Sequence, residues 1–431
     1  MPDSARTVPG SRYPLLMLAL SGLTATLAVA APTMAMPVLF AEIAEELGLT
    51  LVQVGAVWGL TSFAGLFASL AGGMIGDRFG TKRTLIICCL LLGLAGASRG
   101  LSNGLLSLSA TVLLTGALSA VIPVLLHKVC ALWFPGRRLG AANAVVSGGM
   151  ALGFMLGSLV SATFLSPWLG GWRHVLFFYG ALGILMSVPW AFTRISPRES
   201  ARPAHAAHGY SFRRAFSHVV RLRSVWILGF ALFGVGGAVQ GVLGYLPLYL
   251  RGIEWSASCA DAALSSFHAM SLLVVFPLAM LSDRIGSRRK LLIAASLTIA
   301  CGIGLLSLVD GVVIWLAVLM AGAVRDGFMA VFMTAVSEID GVGAEYAGTA
   351  LGLALTLLRI GALIAPPLGN ALAVHGRRMP FVLWSGMALL GFATLWVRGR
   401  SGRRRPSSEG IGEIIDGELH KRAQSDPQSF T

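Results

Sequence analysis

Charge is scarce in this chain. Asp, Glu, Lys and Arg make up only 12% of its 431 residues, and 55% are hydrophobic; an average soluble domain carries roughly 25% charged residues. A water-soluble fold has no means of hiding that much apolar surface, so soluble enzymes and soluble binding modules are excluded. Acids are the rarer sign, 19 against 33 basic residues, for a net charge of +14. Such an excess would suggest nucleic acid as the partner of a soluble protein. Here the basic residues fall in alternate gaps between apolar runs, which is an orientation signal of membrane proteins, so no nucleic-acid partner is expected. Cysteine is sparse as well: Cys88, Cys89, Cys130, Cys259 and Cys301 lie in or beside apolar runs without CxxC spacing. That pattern reads as apolar filling, with no metal site, disulfide framework or cofactor implied.

What the chain has is long apolar runs. Twelve stretches can be drawn, at approximately 14–40, 51–75, 84–103, 105–128, 139–165, 174–193, 224–250, 261–281, 290–309, 312–335, 347–371 and 379–397, each near the ~20 residues that cross a bilayer. Helices satisfy their own backbone in hydrocarbon, so the expected fold class is all-α integral membrane with twelve transmembrane helices. Arg12 followed by a run containing Ala28, Val29 and Ala30 resembles a signal peptide with its cleavage site. The run continues to Phe40, and it is read as an uncleaved first helix.

The basic residues orient the chain. With the N-terminus in the cytoplasm, Arg78, Lys82, Arg83, Arg137, Arg138, Arg284, Arg288, Arg289 and Lys290 fall inside, as do the arginines between Arg194 and Arg223, in accord with the positive-inside rule. The expected organisation is a cytoplasmic N-terminus (1–13), a six-helix bundle (14–193), a basic cytoplasmic linker (194–223), a second six-helix bundle (224–398) and a disordered cytoplasmic tail (399–431). His205 and His208 in the linker read as part of a solvated segment near anionic headgroups. The expected location is the cell membrane.

An internal repeat supports the division into halves. The run Gly73, Asp77, Arg78, Gly80, Lys82, Arg83 after the second span recurs as Asp283, Arg284, Gly286, Arg288, Arg289 after the eighth, an offset of about 206 residues. Gly140 to Ala144 and Gly348 to Gly352 match at nearly the same offset. A parallel duplication places a substrate site between the halves near the bilayer midplane. The glycine turn with an aspartate at one helix end and cations at the membrane surface suits a contact made in one conformation and broken in another.

These motifs resemble the major facilitator superfamily, whose loop between the second and third helices matches Gly73 to Arg83. Gly170-Gly171-Trp172-Arg173, the run Tyr245 to Leu250 with Pro247, and the second copy from Asp283 to Arg289 are similar to that superfamily too. The resemblance implies two six-helix bundles with a pseudo-twofold relation and alternating access to a central cavity. Thr111 stands where the family usually has an arginine in its fourth helix, and Ser158 where a glycine-rich fifth-helix motif (Gly149, Gly153, Gly157) usually has proline.

Ionisable residues inside the spans are the candidate site. Arg325 and Asp326 in the tenth span and Arg359 in the eleventh each cost roughly 2.5–3.5 kcal/mol at a helix centre and so mark a pathway. Adjacent residues diverge by about 100° on a helix, so Arg325 and Asp326 are not expected to share a face. Asp326 neutralises one arginine and leaves a positive charge over, which suits the carboxylate of a substrate. Asp326 and His268 are candidates for coupling to protons, and Gln240 and Asn143 for polar contacts with substrate. Arg99 and the pair His127 and Lys128 read as side chains snorkelling to the interface. The expected function is a secondary transporter, not an enzyme. It moves a small organic anion, coupled to protons or to a counter-anion, and works as a monomer among membrane lipids. The competing reading is a proton-driven exporter of drugs or metabolites, with a membrane sensor as a distant third.

Overall fold

The computed structural model describes residues 12–134, 138–193, 212–285 and 287–401, and all regular structure among them is helical. Twelve long helices follow in order. The first six are α1 (Tyr13–Leu47), α2 (Leu51–Phe79), α3 (Thr81–Leu101), α4 (Leu105–Trp133), α5 (Leu139–Leu169) and α6 (Trp172–Phe192). The second six are α7 (Arg223–Gly252), α8 (Ala257–Ile285), α9 (Arg288–Leu305), α10 (Val313–Ala323 and Arg325–Ser337), α11 (Gly343–Leu372) and α12 (Met379–Ser401). Eleven are long and apolar enough to cross a membrane. The other, α9, opens with Arg288, Arg289 and Lys290, which shorten its uncharged stretch.

Local chemistry sets the ends. Gly48, with φ 63°, closes α1 in the left-handed conformation, and Thr50 with Gln53 forms a reciprocal capping box at the start of α2. The expected loop between the second and third spans is far tighter than the sequence suggested. α2 continues to Phe79, and Gly80 alone, at φ 86°, turns the chain into α3. The linker also differs from expectation, because a helix, Phe212–Arg221, occupies its end. His218 on it meets the carbonyl of Gly341 through Nε2 at 2.8 Å. The rest of the linker, with His205 and His208, and residues 402–431 lie outside the described residues, as does Gly286.

The two halves repeat one packing scheme. The first helix of each pairs with the fifth (α1 with α5, α7 with α11), the second with the fourth, and the third with the sixth. Small residues permit the close approach that drives association in lipid. Gly149, Gly153 and Gly157 of α5 lie against Gly22, Thr26, Ala30 and Ala31 of α1, so the glycine-rich fifth helix is a packing face within one half. The repeated basic turns behave alike: Lys82 Nζ donates to the Thr193 carbonyl at the end of α6 (2.5 Å), and Arg289 Nε to the Leu395 carbonyl near the end of α12 (3.0 Å).

Between halves, α2 packs on α11 and α5 on α8, with α1 and α7 in contact between those seams. Both seams are tight at the membrane face away from the chain termini, here called the far side. A Cβ on Gly55 would lie 2.8 Å from the Pro366 carbonyl oxygen, and one on Gly59 2.4 Å from that of Leu363. Towards the terminal side, a Cβ on Gly140, Gly148, Gly348 or Gly352 would meet nothing within 4 Å. Gly59→Ala is therefore expected to force α2 off α11 and lower stability by about 1–3 kcal/mol, as overpacking does. Gly348→Ala should leave the thermal midpoint unchanged or slightly raised, and a melting curve of each purified variant checks the contrast.

Candidate functional site

Four hydrogen bonds join the halves among the described residues, and all lie in the far-side half of the molecule. Trp58 Nε1 donates to the Gln240 carbonyl (2.8 Å) and Asn370 Nδ2 to that of Leu51 (2.8 Å). Thr163 Oγ1 donates to Asp261 Oδ2 (2.6 Å) and Ser265 Oγ to the Met155 carbonyl (3.0 Å).

Beneath this closure the ionisable residues gather at mid-depth. At about 1.5 Å per residue, Arg325 lies roughly 18 Å along α10 from its far-side end, with Arg359 and His268 at similar depths on α11 and α8. α10 is broken there: Val324, at φ −102° and ψ 1°, ends one helical segment and Arg325 begins the next. Arg325 and Asp326 both belong to the second segment, yet their side chains meet, contrary to the expectation from sequence. Arg325 Nη1 is 3.4 Å from Asp326 Oδ1 and 3.4 Å from His268 Nδ1, and its Cζ sits 5.6 Å from the ring centre of Phe154 on α5. Asp326 is held from the other side by buried Ser271, whose Oγ donates to Oδ2 (2.8 Å) and accepts from the Asp326 backbone N–H (3.1 Å).

His268 is buried, against Phe154 with ring centres 5.4 Å apart. Accepting from a guanidinium at Nδ1 makes it the neutral tautomer with its proton on Nε2, and that nitrogen is buried with no partner among the described residues. Arg359 has neither ion pair nor hydrogen bond among the described residues, and its guanidinium packs on Gly65 of α2, where a Cβ would lie 3.0 Å from Cζ. One arginine thus has a carboxylate and the other does not. Each faces a different seam, Arg325 the α5–α8 seam and Arg359 the α2–α11 seam.

The remaining candidates are dispersed. Gln240 uses its backbone carbonyl to hold Trp58. Asn143 sits near the terminal-side start of α5, about 16 Å along the helix from Phe154, so the structure does not bring it to the arginines; its Oδ1 is buried without a partner among the described residues. In the basic turns, Arg78 and Arg284 are exposed and Arg288 Nε reaches Glu338 at 2.9 Å within its own half. The side chains of Asp77 and Asp283 lie outside the described residues.

Two residues escaped the sequence reading. Asp261 was placed at the mouth of its span, but α8 begins at Ala257, so Asp261 sits a turn inside with its side chain 0% exposed. It pairs with Arg251 Nη2 at 2.7 Å as well as with Thr163. The signal was an arginine and an aspartate ten residues apart across a short turn. Arg99 does not snorkel: it is 5% exposed and points inward.

Comparison with known proteins matches the description Major Facilitator Superfamily to residues 18–359. The chain belongs to this superfamily. It is a multi-pass membrane transporter of small solutes, not an enzyme, and its twelve helices form the superfamily's fold. It is 25% identical over 388 residues to a probable sulfoacetate transporter of Cupriavidus necator, covering 82% of this chain and 86% of that one. It is 22% identical over 239 residues to a hexuronate transporter of Bacillus subtilis, covering 54% of each. Its fold matches the crystal structure of a bacterial homolog of the human lysosomal transporter Spinster with TM-score 0.74 and 16% identity, covering 92% of this chain and 100% of that one.

Removing one partner from a buried ion pair costs about 3–5 kcal/mol because the other charge is left stranded. Asp261→Ala, which strands Arg251 and frees Thr163 of the opposite half, should lower the unfolding free energy of this transporter by about that amount. A denaturant titration against wild type measures it; a change under 1 kcal/mol would show that the bridge contributes little.

Proposed function

We propose that this superfamily member carries a small organic anion, bound at mid-depth between the halves by Arg359 with help from Arg325. The observation that supports this reading is the guanidinium of Arg359 at the α2–α11 seam, which has no carboxylate partner among the described residues. A charge so placed is costly in a membrane, and a carboxylate or sulfonate would offset the cost through a forked pair of hydrogen bonds. Sulfoacetate and hexuronate, in the names of two relatives, are anions of this kind. The alternative is a proton-driven exporter; the glycines of α5 pack on α1 and so do not distinguish the two readings.

The transport cycle we infer is alternating access. With both termini in the cytoplasm, the far side is the outer face, and the state described is closed there. The halves 14–193 and 224–398, joined by 194–223, then rock as bodies so that the outer bonds part and the basic turns at Gly73–Arg83 and Asp283–Arg289 engage on the inner face. Asp326 and His268 carry the coupling. Protonation of Asp326 would release Arg325 for substrate, and His268 holds a donor at Nε2 that a substrate oxygen or a proton relay could use. Coupling to a counter-anion is the other form of the same cycle.

The test is a thermal-shift series with purified protein against sulfonates, sugar acids, short carboxylates and lipophilic cations, paired with uptake into proteoliposomes. A ligand at a hundred times its dissociation constant stabilises by about 2.7 kcal/mol. An organic anion should raise the midpoint and be taken up, and Arg359→Gln should abolish both effects. Shifts confined to lipophilic cations and retained in Arg359→Gln would overturn the proposal.

A further inference from the structure

A cavity lies among α1, α2, α3, α4 and α6 of the N-terminal half, and no described residue of the C-terminal half lines it. Its volume is about 40 Å³, and Arg99 at the far-side end of α3 contributes to its wall while being 5% exposed. Of the five N–H donors of that guanidinium, the one bond described is from Nε to the Gly96 carbonyl, at a long 3.4 Å. No acidic residue lines the cavity. Of the three carboxylates of α1, none lines the cavity: Glu46 accepts from Arg173 Nε (2.8 Å) and Trp172 Nε1 (2.5 Å), Glu42 from Ser166 Oγ (2.5 Å), and Glu45 is exposed.

A guanidinium does not give up its proton in proteins, and a buried charge without a partner is strongly unfavourable. The site therefore calls for a counter-charge that none of the described residues supplies. Other lining groups fit a small guest with water beside it. Thr33, Thr61 and Thr115 donate their hydroxyl protons to helix carbonyls, which leaves lone pairs for a water that bridges them to an anion. A single water needs roughly 10–15 Å³ of such space, so this cavity admits one monatomic anion and a water or two, and is too small for an organic acid.

We propose that Arg99 holds a halide-sized monovalent anion inside the N-terminal half, separate from the substrate site between the halves. Bound there, the anion ties α3 to the helices around it and moves with the half as a resident ion.

The experiment uses full-length protein in lipid nanodiscs, unfolded thermally in sodium chloride, sodium bromide or sodium fluoride at equal ionic strength, fluoride being the halide that sheds its water least readily. The expected result is a midpoint that rises saturably with chloride or bromide relative to fluoride. Arg99→Gln should lose that dependence and Arg359→Gln should keep it. Equal midpoints in the three salts would overturn the proposal, as would a halide effect that survives Arg99→Gln and disappears in Arg359→Gln, which would assign the ion to the central cavity. Should Arg99→Gln fail to fold, wild-type crystals grown in bromide decide the matter. An anomalous peak in contact with the Arg99 guanidinium supports the site, and ordered water alone in its place refutes it.

Discussion

Lipid gives helices no hydrophobic reason to associate, because the tails are as apolar as the side chains. What holds this transporter together is therefore close backbone approach at glycines and a small number of polar bonds. Gly149, Gly153 and Gly157 bring α5 onto α1 inside one half, and Gly237 and Gly361 bring α7 onto α11 inside the other. The same means joins the halves, with Gly55 and Gly59 pressed on the backbone of α11. The difference lies in extent. Within a half the contact runs the length of the helices, whereas between halves it is concentrated towards the far side. A seam that closes at one end is mechanically suited to opening there and closing at the other.

Charge placement follows the same economy. In the far-side half, Asp261 has two donors, Arg251 and Thr163 from opposite halves. At mid-depth, Asp326 has Arg325 and Ser271. Arg359 and Arg99, both inside spans, have no carboxylate among the described residues, and they sit in different places: one at a seam between halves, one against a cavity within a half. A site at a seam is exposed and covered as the halves move. A site inside a half is carried along unchanged. The physical distinction between a transported ligand and a resident ion is thus built into which helices surround each arginine.

Much of this architecture was legible in the residues. Twelve apolar runs, the two basic turns about 206 residues apart and Arg325, Asp326 and Arg359 inside spans all follow from hydropathy and charge, since an ionisable group in a membrane helix is too costly to be incidental. The errors have a common cause. Arg99 and Asp261 stand near the ends of apolar runs, where a linear reading assigns them to the interface. Whether such a side chain turns outward to water or inward depends on neighbouring helices, and these are remote in the sequence. The meeting of Arg325 with Asp326 was missed for a related reason: Ser271 and His268, which contact the pair, belong to another helix. The break at Val324 that precedes them has no glycine or proline at that residue to announce it.

By itself the sequence determined the membrane character, the helix number, the twofold repeat and the residues too polar for lipid, because each depends on the composition of one segment in one solvent. The tertiary structure alone decided which arginine is neutralised, which seam is closed, and that a cavity in the N-terminal half is lined by a cation with no counter-charge among the described residues. Those outcomes depend on distances of a few ångströms between helices, set by the packing of glycines whose partners lie up to about three hundred residues away in the chain.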